Sequence, residues 1–406
     1  MKRAQAEGRR WFQLHATLSH ERLKNMRDAM TSGERVNAAI ELKELDRVPI
    51  VFRTIQCMDY HWRGPIERAN YLLALGCDDM LQFALPECCS PQVKTRVWTE
   101  DARPYPILHK EWSTPAGKLH ASVYVTDDWR VDDVPLYSDH AWSRGLDFPV
   151  KSREDFAALD HILYDPFRGV SKEYRRTCEE LVRSARQIGV AVWGIMSPSP
   201  LYAMGFIGGK RSMFASVDEP EFFQELITRV GRWSRRGMEW LIDLGVDCIY
   251  RSGCYETVDL FSPDAVRRLF MPELKADVEL AHHAGVKLHN FAQTGVMPFL
   301  DDYAAMGLDL LSSLDPAGSN PTDLAEVKRR IGNKVALMGG VENRELFERS
   351  DPEKVKAVVK HTLEVLAPGG GYILSTAGTI MPHAKEENVL AFIEAGLQYG
   401  RYPPRT

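Results

Sequence analysis

Eight short apolar runs, separated by segments with helical punctuation, constrain the fold of this 406-residue chain more than any other feature. They are VPIVF (48–52), DDMLQF (78–83), VAVWGI (190–195), DCIYRS (247–252), VKLHNF (286–291), LDLLSS (308–313), VALMGG (335–340) and YILSTA (372–377). Most are continuously apolar rather than alternating, as expected of strands covered on both faces of a parallel sheet. The intervening segments carry helix signals. Ser262-Pro263 starts one that runs to Gly285, with Ser as N-cap, Pro in the first turn and Gly as the stop. Pro321 to Ile331 and Asp351 to Leu366 repeat the pattern, and Thr31 with Glu34 has the spacing of a capping box opening SGERVNAAIELK. Strand–helix alternation repeated eight times predicts an α/β fold, a (β/α)8 TIM barrel. The rival, an open doubly wound sheet, lacks the G-x-G-x-x-G turn after its first strand.

Residues 1–33 read as an N-terminal helical arm (Trp11, Phe12, Leu14, Leu18, Leu23, Met26), suited to packing or to a homodimer contact. Residues 34–406 then form one barrel domain. About a hundred residues separate the second and third strands, so an insertion at about 86–185 is expected after the second strand. Within it, two strands flank Pro115-Ala116-Gly117, a hairpin signal. A net charge of -5, without a long Lys/Arg run, argues against nucleic-acid binding. No window approaches the roughly 18 apolar residues of a membrane span, and no apolar stretch follows the basic N-terminus as in a signal peptide. The seven cysteines include no C-x-x-C pair, which fits a reducing cytoplasm.

In a parallel barrel the C-terminal strand ends converge on one mouth. In chain order those ends are Arg53, Pro86-Glu87, Ser197, Arg251 with Cys254 and Glu256, His289-Asn290, Asp315, Glu342 and Ser375-Thr376. Arg53 and Arg251 suit an anionic or carboxylate-bearing ligand, with Glu256, Asn290 and Asp315 as further substrate contacts. His289 ends an apolar strand; a metal ligand, a general acid/base and a hydrogen-bonded core histidine all fit that position. Glu342, after Gly339-Gly340, reads either as an acid/base or as a cap for the following helix. Cys254 reads as a buried small residue or, with His289 and Glu342, as part of a metal site. There is no H-E-x-x-H, and His282-His283 are adjacent on a helix, so they face apart.

From about residue 33 to 396 the chain resembles the uroporphyrinogen decarboxylase and corrinoid-methyltransferase superfamily. ERVNAAIELKELDRVPIVF looks like its N-terminal signature, and SPSPLYAMGFIGGKRSM like its Pro-rich loop and Gly-Gly segment. FSPDAVRRLFMPELKADVELAHHAGVKLHNF, VALMGGVENRELFERSDPEKV and HAKEENVLAFIEAG follow in the family's order. The resemblance implies a (β/α)8 barrel and two chemistries. The decarboxylases use no cofactor and hold a tetrapyrrole with arginines, one falling at Arg53, and an aspartate after the second strand. Leu85 occupies that aspartate position. The methyltransferases bind zinc with a His-x-Cys after the fifth strand and a cysteine after the eighth. His289 keeps the histidine, while Phe291 and Ala377 stand where the cysteines would be. Bound zinc is therefore not expected.

The leading expectation is a methyltransferase, or demethylase, moving a methyl group from a small methylated, methoxyaromatic-type substrate to a corrinoid on a partner protein. His289 or Glu342 would protonate the departing oxygen. The chain has no D-x-H-x-x-G, so the corrinoid would be the partner's. Cofactor-free decarboxylation of a uroporphyrinogen-like or aromatic acid is the alternative. A non-catalytic tetrapyrrole- or corrinoid-binding protein is the second alternative.

Overall fold

The computed structural model describes residues 28–402 except 137 and 197. Most of the expected arm, and Ser197 among the strand-end residues, therefore lie outside the described residues. Eleven strands are described: β1 (Met80–Ala84), β2 (Lys94–Glu100), β3 (Ile107–Thr114), β4 (Gly117–Tyr124), β5 (Gly145–Asp147), β6 (Ala191–Met196), β7 (Cys248–Ser252), β8 (Lys287–Phe291), β9 (Leu310–Leu314), β10 (Ala336–Val341) and β11 (Tyr372–Thr376). Seven form one sheet, ordered β1-β6-β7-β8-β9-β10-β11, and β8 through β11 pair in parallel. Helices lie between them, giving the fold class of a (β/α)8 barrel. Seven of the eight apolar runs are these strands. The eighth, 48–52, makes only isolated pairings.

Two compact units can be distinguished: Met1–Gln82 with Glu179–Trp193 and His289–Thr406, and Phe83–Cys178 with Gly194–Leu288. In the first unit, segment 48–52 acts as the missing stave. Val51 N–H donates to the Leu374 carbonyl, Leu374 N–H to the Pro49 carbonyl and Asp78 N–H to the Ile50 carbonyl. Buried charge holds it there. Arg47 ends on Asp78 Oδ2 at 2.6 Å, Arg35 joins Asp78 to Asp46, and Asp78 Oδ2 also accepts from Ile50 N–H at 3.0 Å. Arg35 is placed by its helix, Ser32–Ile40, whose capping box forms as expected between Thr31 and Glu34. Behind the stave, the closing helix Glu386–Tyr399 approaches so closely that a Cβ at Gly396 would lie 2.7 Å from Ile50 Cδ1.

A bulge marks the β9–β10 junction, where the register slips between Met338 and Gly339. Ser313 takes a φ of 63°, and Gly339 and Gly340 take 116° and 89°. A Cβ on Gly339 would sit 2.9 Å from the Leu314 backbone nitrogen, so the Gly-Gly pair is a steric requirement here.

In the second unit the insertion forms a four-stranded antiparallel sheet, β2-β3-β4-β5. The β3–β4 hairpin turns where the sequence places it, with Thr114 opposite Gly117. Leu108, Trp112, Leu119, Ala121 and Val123 are buried, while on the alternate face Ile107, His109, Glu111 and His120 are only half-buried. The helix from Pro263 to His283 follows its punctuation, Ser262 Oγ capping Ala265 N–H, but widens into a π-turn over Val266–Phe270. Pro272, with no N–H and a ring that would strike the Arg268 carbonyl in a regular helix, accounts for the widening.

Candidate active site

The strand register of the first unit gathers the polar ends. His289 pairs with Leu310 and Phe291 with Ser312; Ser312 faces Met338, and Val341 faces Thr376. The bridge from Ile50 to Leu374 adds Arg53 just past its own stave. Arg53, His289-Asn290, Asp315, Glu342 and Ser375-Thr376 thus belong to successive staves of one unit, at or just before their C-terminal ends.

His289 is 2% exposed, bonds through Nε2 to Ser312 Oγ, and meets the Trp193 ring edge-on at a centroid distance of 5.0 Å. Burial first, then the nearby Arg53 charge, push its pKa down to about 3. The imidazole is therefore neutral at neutral pH, which argues against the proton-donor role assigned from sequence. Asn290 beside it is equally buried. The Arg53 guanidinium lies 4.2 Å from the centre of the Phe291 ring, so this phenylalanine serves as a platform for a cation. Ala377 is fully buried, its N–H on the Val341 carbonyl. Neither residue offers a metal donor, so the zinc set of the methyltransferase branch does not fit these positions.

Asp315 is 8% exposed, and burial together with the Glu342 charge raises its carboxyl above the usual range; only the Ala317 N–H bond to Oδ1, at 2.9 Å, pulls the other way. A buried acid held toward its protonated form can donate a proton. Glu342 accepts N–H bonds from Arg344, Glu345 and Leu346 at 2.5, 3.2 and 2.8 Å. That is the capping role: its carboxylate tethers the start of helix Glu345–Arg349.

Sequence reasoning missed a second group in this unit. His61 Nε2 lies 3.0 Å from Glu386 Oε1, Tyr60 donates to the other Glu386 oxygen, and Tyr71 stacks on the imidazole at 4.7 Å. Burial would raise the Glu386 carboxyl, but His61 and Tyr60 hold it below its ordinary value. More than 300 residues separate the partners, and pairings such as that of Gln56 N–H with the Ile380 carbonyl bring them together.

Arg251 and Glu256 belong to the second unit. Arg251 is fully buried, 2.8 Å from Glu256 Oε2 and 3.0 Å from Asp277 Oδ2. Arg235 bridges Asp277 and Glu273, and Ser199 donates to Glu273. Burial raises both Glu256 and Asp277 above the usual carboxylate range, with Arg251 opposing. These groups answer one another, an arrangement that orders the strand end. Cys254 Sγ lies 3.7 Å from Ser252 Oγ. Leu85, at the position of the decarboxylase aspartate, lines a small hollow with Pro86, Glu87, Met196, Tyr202 and Trp233.

Parallel staves alternating with helices, with polar groups gathered at their C-terminal ends, define a barrel of the kind that houses enzymes. The uroporphyrinogen decarboxylase (URO-D) family model matches residues 146–399, more than half the chain. The chain belongs to the uroporphyrinogen decarboxylase family, a family of enzymes. It is 35% identical over 105 residues to the uroporphyrinogen decarboxylase of Serratia proteamaculans, covering 26% of this chain and 28% of that one. It is 26% identical over 224 residues to the methylcobamide:CoM methyltransferase MtaA of Methanosarcina barkeri, covering 54% and 62%. The chain thus matches less than two thirds of either relative's length. A solved methyltransferase from Methanosarcina mazei superposes with a TM-score of 0.57 at 18% identity, over 91% of this chain and 99% of that one, a likeness of fold. Among the described residues, no helix is long and apolar enough to cross a membrane.

Proposed function

We propose that this protein is a methyltransferase that takes a methyl group from a small methoxylated aromatic acid and passes it to a corrinoid carried by a separate protein. The observation that carries the reading is the presence, in one unit, of a buried acid, Asp315, and of a cation on an aromatic platform, Arg53 on Phe291. Arg53 binds the substrate carboxylate and Phe291 supports the aromatic ring. Asp315 gives its proton to the ether oxygen as the methyl–oxygen bond breaks, so the product leaves as a neutral phenol. The acceptor supplies the electron pair for the new bond to carbon. His289, neutral and bonded to Ser312, keeps the floor of the site uncharged. Leu85 in place of the decarboxylase aspartate favours this over uroporphyrinogen decarboxylation, whose pyrrole N–H groups call for a carboxylate at that position. The longer match to a methyltransferase, 54% of the chain against 26%, points the same way.

The test pairs methoxylated benzoates and a reduced corrinoid acceptor against uroporphyrinogen. Asp315→Asn should lower demethylation by about 10²–10⁴-fold, the usual effect of removing a proton donor, while the variant stays folded. Full activity in that variant, or carbon dioxide released from uroporphyrinogen without corrinoid, would refute the proposal.

A further inference from the structure

The outer face of the insertion sheet carries a four-residue chain that the reaction does not use. Register places it there. Trp98 on β2 stands directly opposite His109 on β3, and Glu111 on β3 opposite His120 on β4, so the two histidines are diagonal neighbours on one face. Asp147 on β5 pairs with Ser122, two residues on from His120. Glu100 Oε2 lies 3.1 Å from His109 Nε2, and Asp147 Oδ2 lies 2.7 Å from His120 Nδ1. The remaining ring nitrogens, His109 Nδ1 and His120 Nε2, face each other at 3.1 Å. Trp98 stacks flat on His109, with centroids 5.0 Å apart and planes at 5°, which fixes that ring.

Hydrogen-bond arithmetic makes this arrangement unusual. A carboxylate only accepts, so each outer nitrogen must carry the hydrogen. Each neutral imidazole then has a lone pair on its inner nitrogen, and the two lone pairs point at one another. A proton shared between the rings, or a metal ion bound by both nitrogens, would satisfy them. The surroundings suit a metal held off the line between the two nitrogens. Ligating histidines characteristically donate their other N–H to a carboxylate, and both do so here. Two nitrogens at about 2.0–2.1 Å from one ion are about 2.9 Å apart at a right angle and about 3.4 Å apart at the tetrahedral angle; the observed separation falls between. The His109 and His120 side chains are 14% and 35% exposed, so an ion can reach them.

We propose that His109 and His120 form a two-imidazole binding site for a borderline divalent transition ion of the Cu²⁺, Ni²⁺ or Zn²⁺ class. Glu100 and Asp147 orient the rings from behind, and Lys151 holds the second Asp147 oxygen. Among the described residues no three His, Cys, Asp or Glu side chains converge on one point, so water or a donor from a bound molecule completes the coordination.

The test uses the full, untagged chain titrated with Cu²⁺ alone at neutral pH, followed by electron paramagnetic resonance and calorimetry. One ion per chain is expected, with hyperfine splitting from two equatorial imidazole nitrogens. His109→Gln and His120→Gln should each reduce that splitting to one nitrogen at most. Glu100→Gln and Asp147→Asn should weaken binding by about 10–100-fold, as loss of an orienting carboxylate does. His282→Gln is the control and should change nothing. The proposal fails if either inner-site variant binds Cu²⁺ with the wild-type spectrum and affinity. It also fails if no stoichiometric ion binds, or if side-chain nitrogen spectra show a proton bridging the two rings that excess metal does not displace.

Discussion

Replacing His289 by Asn should remove a specific acid sensitivity from the protein. The folded imidazole takes a proton only near pH 3, whereas the unfolded side chain does so near its ordinary value of 6.5. Between those values the unfolded chain binds more protons, so stability falls as pH falls. For one such group the loss between about pH 7 and about pH 5 is about 2 kcal/mol, at about 1.4 kcal/mol per unit beyond the unfolded pKa. The Asn variant lacks this term. It should be less stable near neutrality, having lost a buried ring packed on Trp193 and bonded to Ser312. Its deficit should then shrink by about 2 kcal/mol at about pH 5. Urea unfolding of both proteins at both pH values gives the double difference, in which other titrating groups such as Asp79 and Asp315 largely cancel. A deficit that stays constant with pH would show that His289 titrates alike in the folded and unfolded chain, and would refute its description as a neutral buried base.

Two further substitutions separate structural charge from catalytic charge. Arg251→Met strands Glu256 and Asp277 without their shared cation and should cost about 3–5 kcal/mol in urea unfolding; adding Glu256→Gln should recover part of it, and no loss in the single variant would mean the network is not structural. Glu342→Ala should cost about 1 kcal/mol, as loss of a helix cap does, with turnover retained; a fall in turnover like that of Asp315→Asn would return Glu342 to the chemistry.

The staves were legible in the sequence because strands covered on both faces need unbroken apolar runs, and IIe-, Val- and Leu-rich runs such as VALMGG at 335–340 stand out. Helix starts were legible where local chemistry fixes them, as at Thr31, Ser262 and Asp351. The outer strands of the insertion were not. β2, KTRVWTE, is almost entirely exposed and carries no apolar pattern to read. The π-turn at Val266–Phe270 has its cause downstream, in Pro272, where a sequence reading sees only a continuing helix. Position in the sequence set His289, Asp315 and Arg53 at or beside the stave ends, where the structure has them. It could not foresee their electrostatic condition, because the burial and the Arg53 charge that empty His289 of its proton come from separate staves. The same limit hid the dyad of His61 and Glu386, whose partners meet only through tertiary pairing.

The stave at 48–52 has a consequence for how the molecule is made. Its partner Leu374 lies more than 300 residues further along the chain, a contact of very high sequence separation. During synthesis Arg35, Arg47 and Asp78 emerge early and can lock to one another, fixing half of the seam long before β11 exists. The other half must wait until β11 has left the ribosome. Until then the Val51 N–H and Pro49 carbonyl that later serve Leu374 form an open edge, available to any passing strand. The ion cluster therefore acts as a placeholder for order, and the interval before β11 arrives is when this chain is most exposed to mispairing.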